Sequence, residues 1–169
     1  MPFAPFHLGP ALLLGLALSF AFDLPTLLIA STIPDLEPLA ALYLHISGYP
    51  LHGFFHSYLG SSILVVLTVL IAYSLRDVFS SIMIAFQVRS KKPSFDKILF
   101  TSFLGVYSHV FLDSFLYSEM MPFYPLQGNP LIDALSAYGS YRVIYGLCGV
   151  AFLLAIVVYV CRPVREAKT

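Results

Sequence analysis

Charge is scarce in this 169-residue chain: Asp, Glu, Lys and Arg together make up 11% of it, against about a quarter in ordinary soluble domains. No lysine or arginine precedes Arg76. The apolar start therefore lacks the basic flank of a secretory signal, and no clear small-residue cleavage site follows, so it is expected to stay as a first helix. Cysteine is limited to Cys148 and Cys161, whose spacing in one apolar segment puts them on different helix faces. That spacing argues against a disulfide or a thiolate metal pair, and both are expected to be packing residues. The formal net charge is zero, which gives no reason to expect a nucleic-acid partner. There is no internal repeat and no low-complexity tract.

Apolar residues fill the space that charge leaves. The chain is 59% hydrophobic with a mean hydropathy of +0.85, the composition of an integral membrane protein. The expected fold is all-α, a polytopic transmembrane helix bundle forming one domain over residues 1–169. About five crossings of roughly 20 residues each account for the length. The first apolar helix is expected over Leu8 to Phe22, ended by Asp23-Leu24-Pro25. A second segment, about Thr26 to Ile46, is interrupted by Pro34-Asp35-Leu36-Glu37-Pro38, because each proline lacks an amide donor. Phe54 to Leu75, Ile98 to Tyr117 and Val143 to Cys161 read as the remaining crossings. A weakly amphipathic stretch over Val78 to Val88 reads as a short interfacial helix, and residues 118–142, rich in proline and glycine, as an irregular loop.

The basic residues orient this arrangement. Five of the nine Lys and Arg fall between Arg76 and Lys97, one is Arg142 and three are in the tail at Arg162, Arg165 and Lys168. By the positive-inside rule the basic 76–97 loop and the tail are expected in the cytoplasm. The N-terminus and the 118–142 loop are then outside, in a cell membrane. A rise of about 1.5 Å per residue sets His109 and Asp35 near the midplane, with Asp113, His56 and His7 further out.

Against this background the polar residues inside apolar runs stand out, since they are expensive in a bilayer and usually mark function. His52 and His56 are four residues apart, as are His109 and Asp113, and on helices each pair would share a face. Broken backbone is tolerated in a membrane only where it is buried in protein or lines a wet cavity, so the 34–38 break is expected beside a site, with Asp35 in it. His7, Asp35, His52, His56, His109 and Asp113 form a nitrogen and oxygen donor set that suits zinc, or manganese or iron. Asp35 and Glu37, two residues apart, are candidates for catalytic carboxylates, and Glu37 could be a general base or the orienting partner of a histidine. The plainer reading is that each of these residues is an interhelical hydrogen-bond partner. His45 is expected to be structural or interfacial, Arg142 an interfacial anchor, and Glu119 and Asp133 solvated loop charges.

With Pro5-Phe6-His7-Leu8-Gly9, Ile33-Pro34-Asp35-Leu36-Glu37, His52-Gly53-Phe54-Phe55-His56-Ser57 and His109-Val110-Phe111-Leu112-Asp113 in this order, the chain resembles the predicted membrane-bound metal-dependent hydrolases. These are also called LexA-binding, inner-membrane-associated hydrolases. The resemblance covers most of residues 5–130 and implies His7, Asp35, His52, His56, His109 and Asp113 as the polar signature. The family's name implies a cytoplasmic contact with a LexA-type partner, whereas the charge bias puts the site outside. A more distant likeness is to the zinc-dependent phospholipase C and S1/P1 nuclease group, whose later His-x-x-x-His or His-x-x-x-Glu has no counterpart after Asp113. By that likeness the expected activity is hydrolysis, by metal-activated water, of a phospholipid or another phosphoester. The alternative is a cation or proton carrier, or a scaffold, built on the same His and Asp residues.

Overall fold

The computed structural model describes residues 5–46, 48–88 and 92–161. Outside them lie Arg89, Lys91, Arg162, Arg165 and Lys168, five of the eight basic residues on which the expected orientation rests. Every regular element among the described residues is helical. The helices are α1 (Pro5–Ala17), α2 (Leu24–Ala30), α3 (Leu36–Tyr43), α4 (Tyr58–Ser74), α5 (Arg76–Ala85), α6 (Phe95–Asp113) and α7 (Ser140–Val160).

Local chemistry sets their ends. Asp23 caps α2, its carboxylate accepting from the Thr26 amide at 3.2 Å and from the Thr26 hydroxyl at 2.5 Å. Ser57 and Ser94 cap α4 and α6 through the Gly60 and Lys97 amides, each satisfying one of the donors a helix start leaves open. The second apolar segment is broken where its prolines stand. α2 stops at Ala30, a 3-10 turn runs over Ile33–Asp35, and α3 restarts with Pro38 in its first turn, where the missing amide costs nothing.

α6 is the central post. It packs against α2 and α4, while α1 packs against α7 and α2. Small residues make these approaches possible: a Cβ at Gly105 would collide with Ala30 Cβ on α2, and one at Gly9 with the Cys148 carbonyl on α7. Contacts of this closeness are how helices gain packing when the surrounding solvent is as apolar as their own surfaces. Buried hydroxyls bond back to their own helix, as Thr68 does to the Leu64 carbonyl at 2.8 Å. The outward surface is apolar. Leu59, Ile63, Val66 and Leu70 form an exposed stripe on α4, and Leu147, Val150, Leu153 and Val157 do so on α7, far more than a water-soluble monomer exposes.

The number of long apolar helices is smaller than the expected five crossings. Among the described residues only Ser140–Val160 is long and apolar enough by itself, or two if α4 and α5 count as one span bent by 69°. The reasons are local. α1 has 13 residues, about 20 Å of helix against about 30 Å of hydrocarbon; the second segment is divided by its prolines; and α6 carries Asp96, Lys97 and Asp113. The interfacial stretch falls at Arg76–Ala85, earlier than Val78 to Val88, and buries no residue. Of the two cysteines, Cys148 packs in the core and Cys161 is exposed.

Candidate metal centre

Three broken or terminating elements meet at the C-terminal end of α6. The 3-10 turn at Ile33–Asp35 supplies Asp35, a second 3-10 turn at Phe54–His56 supplies His56, and the last turn of α6 supplies His109 and Asp113. His109 and Asp113 share one helix face at the four-residue offset, with His109 Nε2 3.2 Å from Asp113 Oδ2. Asp35 Oδ1 stands 3.8 Å from the same His109 nitrogen, and His56 Nε2 stands 3.9 Å from Asp113 Oδ2. All four residues offer a donor atom, and these atoms lie within 4.8 Å of one another. His56, His109 and Asp113 are buried, whereas the Asp35 side chain keeps 17% of its surface exposed.

Which nitrogens face the cluster follows from their other partners. His109 Nδ1 lies 2.7 Å from the Ser31 carbonyl and His56 Nδ1 lies 2.7 Å from the Glu37 carboxylate. A carbonyl and a carboxylate only accept, so both Nδ1 atoms carry a proton, and the Nε2 atoms of the neutral rings present lone pairs inward. Lone pairs there meet carboxylate oxygens, and Asp35 Oδ2, His56 Nε2, His109 Nε2 and Asp113 Oδ1 are all buried without a hydrogen-bond partner. Acceptors turned on acceptors are stable only with a cation among them, a proton or a metal ion. Zinc–nitrogen bonds of about 2.0–2.1 Å place tetrahedral neighbours about 3.3 Å apart, close to the shorter separations measured here. The residues present therefore fit a divalent ion.

His7, from the first turn of α1, comes against the other oxygen of Asp113: its Nε2 is 3.1 Å from Oδ1 and its ring stacks on His109 with centroids 3.9 Å apart. It stands beside the group of four, and its Nδ1 is buried without a partner.

His52 lies outside the group of four, and of the two roles expected of Glu37 the structure places it where the orienting partner of a histidine stands. No α-helix joins His52 to His56; only Phe54–His56 form a 3-10 turn. Gly53 is neither helical nor extended (φ −94°, ψ −133°), and the two rings meet edge to face with centroids 4.8 Å apart. His52 is stacked on Tyr117 at 3.6 Å and gives its Nδ1 proton to Glu119 at 2.8 Å. Glu37 lies behind the His56 ring. Its Oε2 accepts from His56 Nδ1 and from the Gly53 amide at 3.2 Å, and its Oε1 accepts from the Tyr49 hydroxyl at 2.5 Å and the Phe55 amide at 3.0 Å. With four donors on one carboxylate, Glu37 has little capacity left to act as a free base, and it orients His56 instead. Burial and the Glu37 carboxylate raise the Tyr49 phenol above its ordinary range, which keeps it a donor.

Glu119 is the residue that sequence reasoning passed over. It is no freely solvated loop charge, since it holds His52. Its signal was its place just past the helix that ends in Asp113. The loop carrying it is fastened to the site by Asn129 Nδ2, which donates to the Ser114 and Tyr117 carbonyls at 2.7 and 2.8 Å, and by the Tyr58 amide on the Pro122 carbonyl. His45 and Arg142 are exposed and away from the cluster.

The family model described as YdjM inner membrane protein matches residues 4–167. No curated protein and no solved structure matches the chain.

Proposed function

The chain belongs to the YdjM inner membrane protein family, and from that premise and the buried donor cluster we propose that it is a membrane-embedded, metal-dependent hydrolase. The observation that carries the reading is the convergence of His56 Nε2, His109 Nε2 and the Asp35 and Asp113 carboxylates within 4.8 Å of one another, with His56 Nε2 and Asp35 Oδ2 buried and without a hydrogen-bond partner. Asp35, His56, His109 and Asp113 would hold the ion, zinc by preference and manganese or iron as alternatives. A divalent ion bound there supplies Lewis acidity and makes water a competent nucleophile at neutral pH.

The protein's own residues do the positioning. Glu37 and the Ser31 carbonyl fix the tautomers of His56 and His109, and the Tyr49 hydroxyl with the Gly53 and Phe55 amides fixes Glu37. Asp35, the one partly exposed member, borders the open side of the cluster, and the proton-acceptor role expected of Glu37 passes to it. His7 braces Asp113. His52, held by Glu119 and Tyr117, closes the wall next to His56. A phospholipid or another membrane-delivered phosphoester is the proposed substrate class; the apolar exterior and the likeness of the motif order to phosphoester-cutting zinc enzymes support it.

A second reading rests on a different observation. The His7–Asp113 and His109–Asp113 separations of 3.1 and 3.2 Å also suit imidazolium–carboxylate pairs, which need no metal and would make the cluster a scaffold or a proton or cation carrier. Metal analysis of detergent-purified protein separates the two. Stoichiometric transition metal that disappears in His56→Ala supports the first reading, and hydrolysis of a member of a phospholipid and phosphoester panel by the loaded protein completes it. Metal-free protein, with His56→Ala unchanged, leaves the second.

Five crossings with the N-terminus outside and the C-terminus in the cytoplasm complete the proposal, resting on the eight-to-one distribution of basic residues. With Cys148 and Cys161 removed, a cysteine at Gln127 should react with an impermeant thiol reagent in intact cells while one at Ser90 stays shielded. The opposite pattern would turn the site towards the cytoplasm and favour a LexA-type contact there.

A further inference from the structure

A cleft of about 400 Å³ lies between α3 and α4. Ile33, Pro34, Leu36, Ala40, Leu64 and Leu67 line it, together with Glu37 and Tyr49. Those last two are its polar side chains, and they are spent on each other: the Tyr49 hydroxyl donates to Glu37, which also holds His56 and two backbone amides. An occupant thus finds no free donor or acceptor on these walls, which excludes ions, sugars and peptides and leaves hydrocarbon. Ala40, exposed on α3, leaves room on the rim.

Two further observations say which hydrocarbon. First, the cleft is continuous with the apolar exterior, because Leu36 and Leu67 are 57% and 42% exposed and Leu39, Ile63 and Leu70 beside them are exposed too. A chain can enter sideways from a bilayer without crossing water. Second, Pro34 and Leu36 in its lining are the two neighbours of Asp35, the partly exposed member of the cluster. A molecule with its tail in the cleft would carry its polar end at that edge.

We infer that the cleft between α3 and α4 is an acyl-chain site, which takes one hydrocarbon chain of a bilayer glycerolipid and presents the lipid's ester head to the Asp35 edge of the metal centre. The inference rests on the hydrolase reading for its ester and on the cleft for its chain, and the two can be tested apart. The test uses the full-length protein in phosphatidylcholine nanodiscs containing a phosphatidylethanolamine with a diazirine along one acyl chain, irradiated and mapped by mass spectrometry. Adducts should concentrate on Leu64 and Leu67 relative to Leu147 and Leu153 of α7, although the α7 pair is the more exposed, at 60% and 63% against 8% and 42%. Ala40→Trp, at an exposed position, should lower the cleft adducts about tenfold or more, the scale of discrimination by apolar pocket contacts. Leu153→Trp should leave them unchanged. Even labelling of α4 and α7, or cleft labelling indifferent to Ala40→Trp, would overturn the site. Metal is not needed for labelling, so concentrated adducts without hydrolysis of any phospholipid would keep the chain site and remove the hydrolase reading. Hydrolysis of long-chain phospholipid at an unchanged rate in Ala40→Trp would overturn the link between cleft and centre.

Discussion

The two ends of α6 carry similar residues and treat them oppositely. At the first turn Asp96 is exposed and Lys97 gives its ammonium to the Ser19 carbonyl at 2.7 Å, so neither charge is short of a partner or of solvent. At the last turn His109 and Asp113 keep 1% and 2% of their surface, beside the buried His56 Nε2 and Asp35 Oδ2, which have no hydrogen-bond partner. The helix is the same, and what differs is what packs around it. The first turn meets the stretch after α1 at Ser19, whereas the last turn is enclosed by two broken segments, the start of α1 and the loop after Asp113. Buried, incompletely satisfied polar atoms are costly enough that their clustering at one end points to a ligand.

The strongest way to break this contrast is to remove the carboxylate at its centre. Asp113→Ala leaves His7 and His109 facing nothing, and losing one partner of a buried ionic set costs about 3–5 kcal/mol, so expression and thermal stability should fall together with bound metal. Asp113→Asn keeps the shape, and it should lose the metal with a smaller loss of stability. Asp35→Asn is predicted to keep the fold and lose metal or activity, read by metal analysis beside a thermal melt. Equal loss of folded protein and metal would make Asp35 structural, and retained metal and activity would remove it from the site. Next in size is Glu37→Gln, which weakens the hold on His56; metal affinity should drop about 10- to 100-fold, as for other orienting partners of ligand histidines, in a competition titration against a chelator.

Gly105→Leu tests the packing rather than the site. A side chain there is driven into Ala30, and overpacking of this kind costs about 1–3 kcal/mol, so the melting temperature should fall while metal content per folded molecule holds. The smallest effect belongs to the exposed Asp77–Lys92 pair at 2.7 Å. The Lys92 hydrogen bond holds the Asp77 carboxyl below its ordinary range. Its contribution is therefore present above the unfolded pKa and lost as pH falls through the lower folded one. For groups this exposed the change should lie within the scatter of a melt, and Asp77→Asn should be indistinguishable from the parent at neutral pH.

How far the site was legible follows from how regular each carrier is. His109 and Asp113 sit on an uninterrupted helix, so a four-residue offset translated directly into a shared face. Asp35 was legible from its prolines, since a break at 34 and 38 announces backbone that must be sheltered. His52 and His56 had the same offset but no α-helix to give it meaning, because Gly53 leaves the helical region and only Phe54–His56 form a 3-10 turn. That Glu37 could orient a histidine was legible, but its pairing with His56 and that of Glu119 with His52 were not, because they depend on chain separations of 19 and 67 residues. The membrane character was plain in composition. The count of crossings was not, because a 13-residue α1 and a divided second segment are apolar without having the length to span.

Transition-metal analysis of the detergent-purified wild-type protein beside His109→Ala tests the central claim most directly. The account predicts near-stoichiometric divalent metal in the wild type and little in His109→Ala, with both proteins still monodisperse. A folded wild type without metal, matched by a folded variant that is equally metal-free, would contradict it.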